Sequence, residues 1–139
     1  MNFNLEIISP EKKLFLGEAE RITLPTIEGM ITVLAHHMPI VTPLTIGEVE
    51  IKTKERMMNF SIGKGVFFVS GNNASLLIED VASADEISEE KVEQAKEKAE
   101  ELIKQGIIGE EKLQAMYALR KSLVDLKIAR KRKKLPINL

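Results

Sequence analysis

The chain has few of the residue types from which small proteins most often build reactive sites. It contains no cysteine and no tryptophan, one tyrosine and two histidines among 139 residues. The absence of cysteine excludes disulfides, zinc-thiolate sites, iron–sulfur clusters and a cysteine nucleophile, and it suits a reducing compartment. The two histidines, His36 and His37, are neighbours. Neighbouring side chains of an extended segment point to opposite faces, so this pair cannot chelate one metal ion and is interpreted as two polar loop residues.

Long apolar runs and a strong charge of one sign are also missing. No apolar run approaches the roughly 20 residues that span a bilayer, and the first residues, MNFNLEIISPEKK, lack the basic and apolar regions of a signal peptide. The net charge of −1 argues against a globally basic nucleic-acid binder. We therefore expect a soluble, cytoplasmic protein that reaches a membrane only through a protein partner.

The charges and the helix-breaking residues divide the chain in two. Residues 1–87 carry seven Lys or Arg against twelve Asp or Glu, a net of −5, and the remainder carries thirteen against nine, a net of +4. Four of the five prolines and six of the eight glycines precede residue 72, whereas residues 72–105 contain neither. Because both shifts fall in the same region, we expect one domain over residues 1–84 and a second unit over residues 85–139.

The first part has the period-two alternation of β-strands. Phe3, Leu5 and Ile7 alternate with polar residues, and Val49 and Ile51 do so again after Gly47. Shorter strands are predicted over residues 13–16, 18–25, 57–62 and 74–81, and the apolar run VFFVS at 66–70 is predicted to be a buried strand. Short strands separated by turn residues predict an antiparallel β-sandwich or barrel.

The second part changes to a helical period. Ser88 is the predicted N-cap of a first helix that ends at Gly106 and has an apolar stripe of Val92, Ala95, Ala99 and Leu102. A second helix is predicted from Gly109 to a stop at Pro136, with an apolar band of Leu113, Met116, Leu123, Val124, Leu126 and Ile128. The short connection predicts an antiparallel hairpin. The stripe is narrow, so we expect the hairpin to be marginal by itself and free to take more than one position.

Residue patterns typical of enzymes are scarce. The GKG sequence at 63–65 lacks the frame of a phosphate loop, no GxSxG accompanies the serines, and Glu79-Asp80 at a strand end is interpreted as a solvated edge. The basic residues 127–134 could be a solvated helix end, a site for an acidic protein, or a surface for nucleic acid or lipid. Residues 21–47, broken by prolines and Gly29, predict rigid exposed loops that present side chains to a partner. The residues alone therefore predict a binding or regulatory module.

Two segments resemble a known family. The sequences LEIISPEKKLFLGEAERITLP at 5–25 and TLPTIEGMITVLAHHMPIVTPLTIG at 23–47 are similar to the ε subunit of F-type ATP synthases, where Leu-Pro, Glu-Gly, Val-Leu, His, Pro and Thr-Pro-Leu occur in this order. The helix hairpin extends the resemblance over the whole chain. The resemblance implies a ten-stranded, flattened β-sandwich followed by two helices, with no catalytic residue, no cofactor and no metal.

The resemblance also implies a place in a rotary machine. A subunit of this kind sits in the central stalk on the cytoplasmic face of the membrane, bound to the γ subunit with its sandwich on the c-subunit ring. It couples catalytic rotation to proton translocation and contacts no nucleic acid. In an inhibitory state its hairpin unfolds along γ, contacts the catalytic α and β subunits and suppresses ATP hydrolysis.

Individual residues carry these implied roles. The c-ring and γ interface is expected at Thr26, Ile27, Glu28, Gly29, Met30, His36, His37 and Pro39. The inhibitory contacts to the catalytic subunits are expected at Arg120, Lys121, Lys127 and Arg130.

The chain departs from the family pattern in both parts. Met30 stands where many members have an acidic residue, and Ala35-His36 replaces a Pro-Gly pair, which is expected to change the rigidity of that loop. The IDxxRA motif through which some members bind ATP aligns with Ile87, Ser88, Lys91 and Val92, so the acid and the arginine are both missing, and Asp125 stands where members often have a basic residue. Lys91 and Lys98 are the remaining nucleotide candidates, and we expect no tight ATP binding. A nucleotide sensor and a basic tail for nucleic acid stay as alternatives.

Overall fold

The computed structural model describes the backbone of residues 1–134 and the side chains of residues 1–131. The chain divides into two compact units, of which the first is Met1–Ser83 and the second begins at Ala84. The first unit is made of β-strands and the second of helices. The predicted stop of the last helix at Pro136 lies outside the described residues.

Ten short strands make up the first unit, as the family resemblance implied. They are β1 (Phe3–Ile8), β2 (Lys13–Ala19), β3 (Arg21–Thr26), β4 (Gly29–Leu34), β5 (Ile40–Leu44), β6 (Gly47–Lys52), β7 (Met57–Ile62), β8 (Gly65–Ser70), β9 (Asn73–Ile78) and β10 (Val81–Ser83). The predicted class, a β-sandwich followed by two helices, is confirmed.

The sandwich consists of two five-stranded halves. The order β5-β8-β9-β1-β2 forms one half, the β1 sheet, and β10-β7-β6-β3-β4 forms the other, the β3 sheet. The two are joined through one residue pair, Thr26 of β3 with Leu44 of β5. Neighbouring strands are antiparallel except β1 and β9, which pair in parallel from Asn4–Asn73 to Ile8–Leu77. Local patterns do not report a pairing between residues so far apart in the chain, and the expected all-antiparallel pairing is wrong at this point.

The inward side chains of both sheets form one core. In β1 the alternation places Phe3, Leu5 and Ile7 inside, as predicted, and Val49 and Ile51 of β6 are also fully buried. Burying each such side chain contributes about 1.5–3 kcal/mol to the free energy of unfolding. The core therefore fixes which face of every strand points outwards, and that orientation determines the surfaces described below.

Two strand predictions differ from the structure. The second strand was expected to end at residue 16, but β2 continues through Gly17 to Ala19, because Leu5 and Phe3 of β1 pair with these two residues. The run at 66–70 was expected to be buried, but only Phe67 and Val69 point into the core. Val66 and Phe68 point outwards, and Val66 is exposed.

The second unit contains a 3₁₀ turn over Ala84–Glu86 and the helices α1 (Glu89–Lys104) and α2 (Gly109–Lys134). Ser88 caps α1, because its hydroxyl accepts a hydrogen bond from the amide of Lys91, and Glu89 and Glu90 lie in the positively polarised first turn. Arg130 near the end of α2 contacts Glu89 at the start of α1. The two helices are therefore antiparallel, as predicted.

The buried face of α2 differs from the predicted apolar band. Leu113, Met116 and Leu123 are exposed, whereas Leu126 and Ile128 are buried as expected. Among the α2 residues up to 131, whose side chains are described, the other buried ones are small: Ala115, Ser122 and Ala129. Small side chains allow a helix to approach its neighbour closely, so they can occupy a buried face without appearing as a hydrophobic stripe.

Candidate docking surfaces

The turn between β3 and β4 is held by Thr26. This side chain is buried, its hydroxyl donates to the carbonyl oxygen of Gly29 at 2.6 Å, and it accepts from the amide of Glu28 at 3.2 Å. Gly29 has φ 126°, a conformation that favours glycine. Ile27, Glu28 and Met30 are exposed around this frame. Of the residues expected to contact a partner here, Thr26 thus shapes the turn and the other four form its surface.

The loop between β4 and β5 contains the two histidines. His36 is exposed and has φ 65°, the one positive φ at a non-glycine residue in the described chain. His37 is half-buried, and its Nδ1 lies 2.7 Å from the carbonyl oxygen of Met38. Met38 and Pro39 are exposed beside it. The loop keeps a left-handed conformation at the position where the family pattern has glycine.

The β3–β4 turn and the β4–β5 loop lie at opposite ends of β4. A six-residue strand separates them by about 17 Å. Met30, Thr32 and Leu34 point to the outer face of β4 and are exposed, and the hydroxyl oxygens of Thr32 and Thr23 are 2.9 Å apart. The eight predicted interface residues therefore form two patches and not one cluster. The outward residues Met30, Thr32 and Leu34 form a strip along β4 that joins the patches.

A third surface, the outer face of the β1 sheet, was not predicted as a site. The strand registers place its outward residues in rows across the sheet. Two of these rows are largely apolar and are called here the apolar rows. The first is Leu16, Glu6, Ser75, Phe68 and Val41, and the second is Ile8, Leu77, Val66 and Pro43.

The apolar rows are accessible to a partner. The exposed fraction is 68% for Leu16, 75% for Val41 and 43% for Leu77. An open depression of about 510 Å³ lies beside the second row, with Ile8, Pro10, Val66 and Leu77 in its lining. Large exposed apolar patches are typical of surfaces that bind another molecule, so the apolar rows are a candidate docking surface. The sequence signal for it was present in VFFVS, where apolar residues occupy both faces of one strand.

The helical unit places the four predicted inhibitory residues in different environments. Arg120 and Lys127 are exposed. Lys121 is nearly buried and forms an ion pair with Asp125 at 3.0 Å, with 14% and 15% of the two side chains accessible. Asp125, the departure from the family pattern noted above, thus neutralises one of the predicted inhibitory cations within its own helix.

Arg130 is engaged with the first helix. Its Nε lies 3.4 Å from Oε1 of Glu89, and its Nη2 lies 3.4 Å from Oε2 of Glu93. These carboxylates are one helical turn apart, so one guanidinium group spans both. On the same helix Lys96 lies between Glu93 at 3.6 Å and Glu100 at 3.8 Å. We call the contact of Arg130 with Glu89 and Glu93 the hairpin latch.

The two residues named as nucleotide candidates are both solvent-exposed. Lys91 and Lys98 are exposed on α1, among the acidic residues of that helix. Within the described residues no three His, Cys, Asp or Glu side chains are grouped to hold a metal ion. Among the described helices, none is long and apolar enough to cross a bilayer.

Sequence comparison matches the chain to one family model and to relatives with the same name. Residues 2–84 match the family model described as "ATP synthase, Delta/Epsilon chain, beta-sandwich domain". The ATP synthase epsilon chain of Caldicellulosiruptor bescii is 35% identical over 131 residues, which cover 94% of this chain and 96% of the relative. That of Endomicrobium trichonymphae is 34% identical over 139 residues, which cover 96% of this chain and 98% of the relative.

Solved structures support the fold. A chain in the Euglena gracilis mitochondrial ATP synthase, in a structure of OSCP, F1 and the c-ring, matches with a TM-score of 0.80 at 23% identity and covers 93% of this chain and 81% of its own length. A chain in the central stalk and c-ring of the Tetrahymena thermophila mitochondrial ATP synthase matches with a TM-score of 0.55 at 18% identity. The match covers 94% of this chain and 96% of the Tetrahymena chain. At these identities the likeness concerns the fold.

Proposed function

The chain belongs to the ATP synthase delta/epsilon chain family, and from this membership we propose that it is a non-catalytic rotor subunit that couples rotation to proton translocation. Its partners are the γ subunit, the c-subunit ring and, in an inhibited state, the catalytic α and β subunits. It is held peripherally on the cytoplasmic face of the membrane, as part of the ATP synthase. The observation that carries the proposal is an exposed apolar face on the same unit that the family model matches.

The γ subunit is the proposed occupant of the apolar rows. Strands in a sheet lie about 4.8 Å apart, so five strands make a surface about 19 Å wide. A surface of that width with exposed Leu16, Val41 and Leu77 fits a protein partner better than a small molecule, which requires a concave pocket. His37 and Pro39 lie in the loop that leads into β5 and extend this contact towards the strip along β4.

The β3–β4 turn is the proposed contact with the c-subunit ring. Ile27 and Met30 supply apolar contact, and Glu28 supplies a carboxylate between them in the sequence. Because Met30 stands where many family members have an acidic residue, the ring contact of this chain has one charge fewer. His36 and the outer residues of β4 connect the turn with the proposed γ contact.

The helix hairpin is the proposed regulatory unit. In the closed hairpin Arg130 is paired with Glu89 and Glu93, and Lys121 is paired with Asp125. Arg120 and Lys127 remain exposed in this state. Opening the hairpin releases Arg130, which then reaches acidic groups of the catalytic subunits together with Arg120 and Lys127. The closed state is therefore the permissive one and the open state the inhibitory one.

Reconstitution tests the proposal. The purified chain is added to a catalytic assembly that contains γ but no subunit of this kind, and both γ binding and ATP hydrolysis are measured. Binding at micromolar concentration with suppressed hydrolysis is expected. Failure to bind γ would contradict the proposal. A variant that lacks residues 88–139 should bind γ and no longer inhibit, and loss of γ binding in that variant would contradict the division of roles between the two units.

A further inference from the structure

Two charged side chains lie in or beside the apolar rows: Glu6 in the first row, and exposed Lys13, which pairs with Ile8 at the end of the second. Glu6 of β1 is flanked across the strands by Leu16 and Ser75, and Ile8 follows it on the same outer face. Leu77, next to Ser75 on the outer face of β9, pairs with Ile8. Glu18, a second carboxylate on this sheet, lies two residues beyond Leu16 and pairs with Asn4, outside the two rows. Glu6 therefore has apolar neighbours in Leu16, Ile8 and Leu77 and polar neighbours in Ser75 and Asn4, while Glu18 lies outside the two rows.

The carboxylate of Glu6 is only partly satisfied by the protein. Ser75 is itself buried, and its hydroxyl donates to Oε1 of Glu6 at 3.0 Å. Oε2 of Glu6 has no hydrogen-bond partner among the side chains of residues 1–131 and the backbone of residues 1–134. Glu6 is half-buried, so water can reach Oε2 in the free chain.

Docking of a partner on the apolar rows removes that water. A carboxylate that loses its hydration without gaining a donor makes binding much weaker, and a buried carboxylate is normally paired with a cation. Ser75 satisfies one oxygen and cannot satisfy the other as well. A donor on the covering surface would satisfy Oε2, and a charged donor gives the stronger contact with a carboxylate.

We infer that the γ subunit presents a lysine or arginine side chain to Oε2 of Glu6, forming an ion pair among the residues of the apolar rows. This inference rests on the proposed function, which makes γ the occupant of the apolar rows. The apolar residues contribute the contact area, and the ion pair fixes the register of γ on the sheet, because a displaced γ would leave Glu6 dehydrated and unpaired.

Variants of the full chain test the inference by their affinity for purified γ at low and at high salt. Glu6→Gln keeps the shape of the side chain and an acceptor for Ser75 but removes the charge, and we expect its affinity to fall by about tenfold or more at low salt. Glu6→Lys should bind more weakly still, because it sets two cations against each other. Glu55→Gln, an exposed carboxylate in the β6–β7 turn of the other sheet, is the matched control and should bind as the wild type does.

The salt dependence of the affinity for γ shows whether the charge of Glu6 contributes to binding. Wild-type affinity should fall as salt is raised, and the affinity of Glu6→Gln should fall less steeply. Two results would overturn the inference while leaving the proposed function intact. One is equal affinity of the wild type and Glu6→Gln for γ, and the other is a Glu6→Gln affinity reduced by the same factor at every salt concentration. A wild-type chain that does not bind γ would overturn both. Thermal unfolding of each variant, expected within a few degrees of the wild type, separates loss of the contact from loss of the fold.

Discussion

Arg130 on α2 joins two carboxylates of α1, with Nε 3.4 Å from Oε1 of Glu89 and Nη2 3.4 Å from Oε2 of Glu93. The residue proposed to reach the catalytic subunits in the open state thus also joins the two helices in the closed state. Both roles use the same guanidinium group, so they exclude each other. In the proposed inhibitory state, an acidic group of the catalytic assembly would compete with Glu89 and Glu93 for Arg130.

Removing the carboxylates of the hairpin latch should strengthen inhibition. In Glu89→Gln/Glu93→Gln the closed hairpin loses two partly exposed ion pairs, worth about 1 kcal/mol together, which shifts the ratio of open to closed hairpins roughly fivefold. ATP hydrolysis by the reconstituted assembly should fall accordingly. Because the chain has no cysteine, Gln94→Cys and Gln114→Cys can carry a pair of fluorescent labels that reports the opening directly.

The control for the hairpin latch is Glu90→Gln/Glu97→Gln. Both residues are exposed on α1, and Glu90 shares the first turn with Glu89, so this variant removes the same number of charges and a similar interaction with the helix dipole. Its inhibition should match that of the wild type. If the two double variants behave alike, the effect belongs to the net charge of α1 and not to the hairpin latch.

The sequence predicted those structural features that depend on residues close together in the chain. The period-two alternation of β1 and the cap at Ser88 report on neighbours within a few residues, and both are confirmed. The parallel pairing of β1 with β9 joins residues far apart in the chain, so no local pattern contains it. The fold class and the number of strands could be predicted because the family resemblance implies how distant parts of the chain are arranged.

The candidate surfaces were predicted less completely than the fold. The loop residues were accessible through their turn chemistry, since Pro and Gly mark exposed segments. The apolar rows were missed because VFFVS was expected to be a buried strand, whereas Val66 remains exposed. An apolar residue on the outer face of a strand is indistinguishable in sequence from a core residue, and only the arrangement of the sheets shows that it is exposed.

ATP should not stabilise this chain. Lys91 and Lys98 are exposed, and the side of α1 that meets Arg130 carries Glu89 and Glu93, which would repel phosphate groups. At millimolar ATP with magnesium we expect no measurable heat of binding and a change in melting temperature below about 1 °C, since stabilisation by a ligand requires a concentration above its Kd. A rise of several degrees would instead support the nucleotide sensor.

Replacing His36 by glycine should stabilise the sandwich. At φ 65° a side chain with a Cβ costs about 1 kcal/mol relative to glycine, and part of this gain is lost to the greater freedom of glycine in the unfolded chain. We expect His36→Gly to raise the free energy of unfolding in urea by about 0.5 kcal/mol. Ala35→Gly, the neighbouring control without positive φ, should lower it. A loss of stability in His36→Gly would show that the histidine side chain itself holds the loop.

Two exposed apolar residues on opposite sheets provide a matched test of the γ surface. Leu77 in the apolar rows is 43% exposed, and Met57 on β7 of the β3 sheet is 44% exposed. Substituting either by serine removes a similar apolar area from the surface, so both variants should unfold within about 0.5 kcal/mol of the wild type. Leu77→Ser should weaken γ binding by about tenfold, because the removed side chain lies at the depression beside the second apolar row. Met57→Ser should bind γ as the wild type does, and the reverse order of affinities would place γ on the β3 sheet instead.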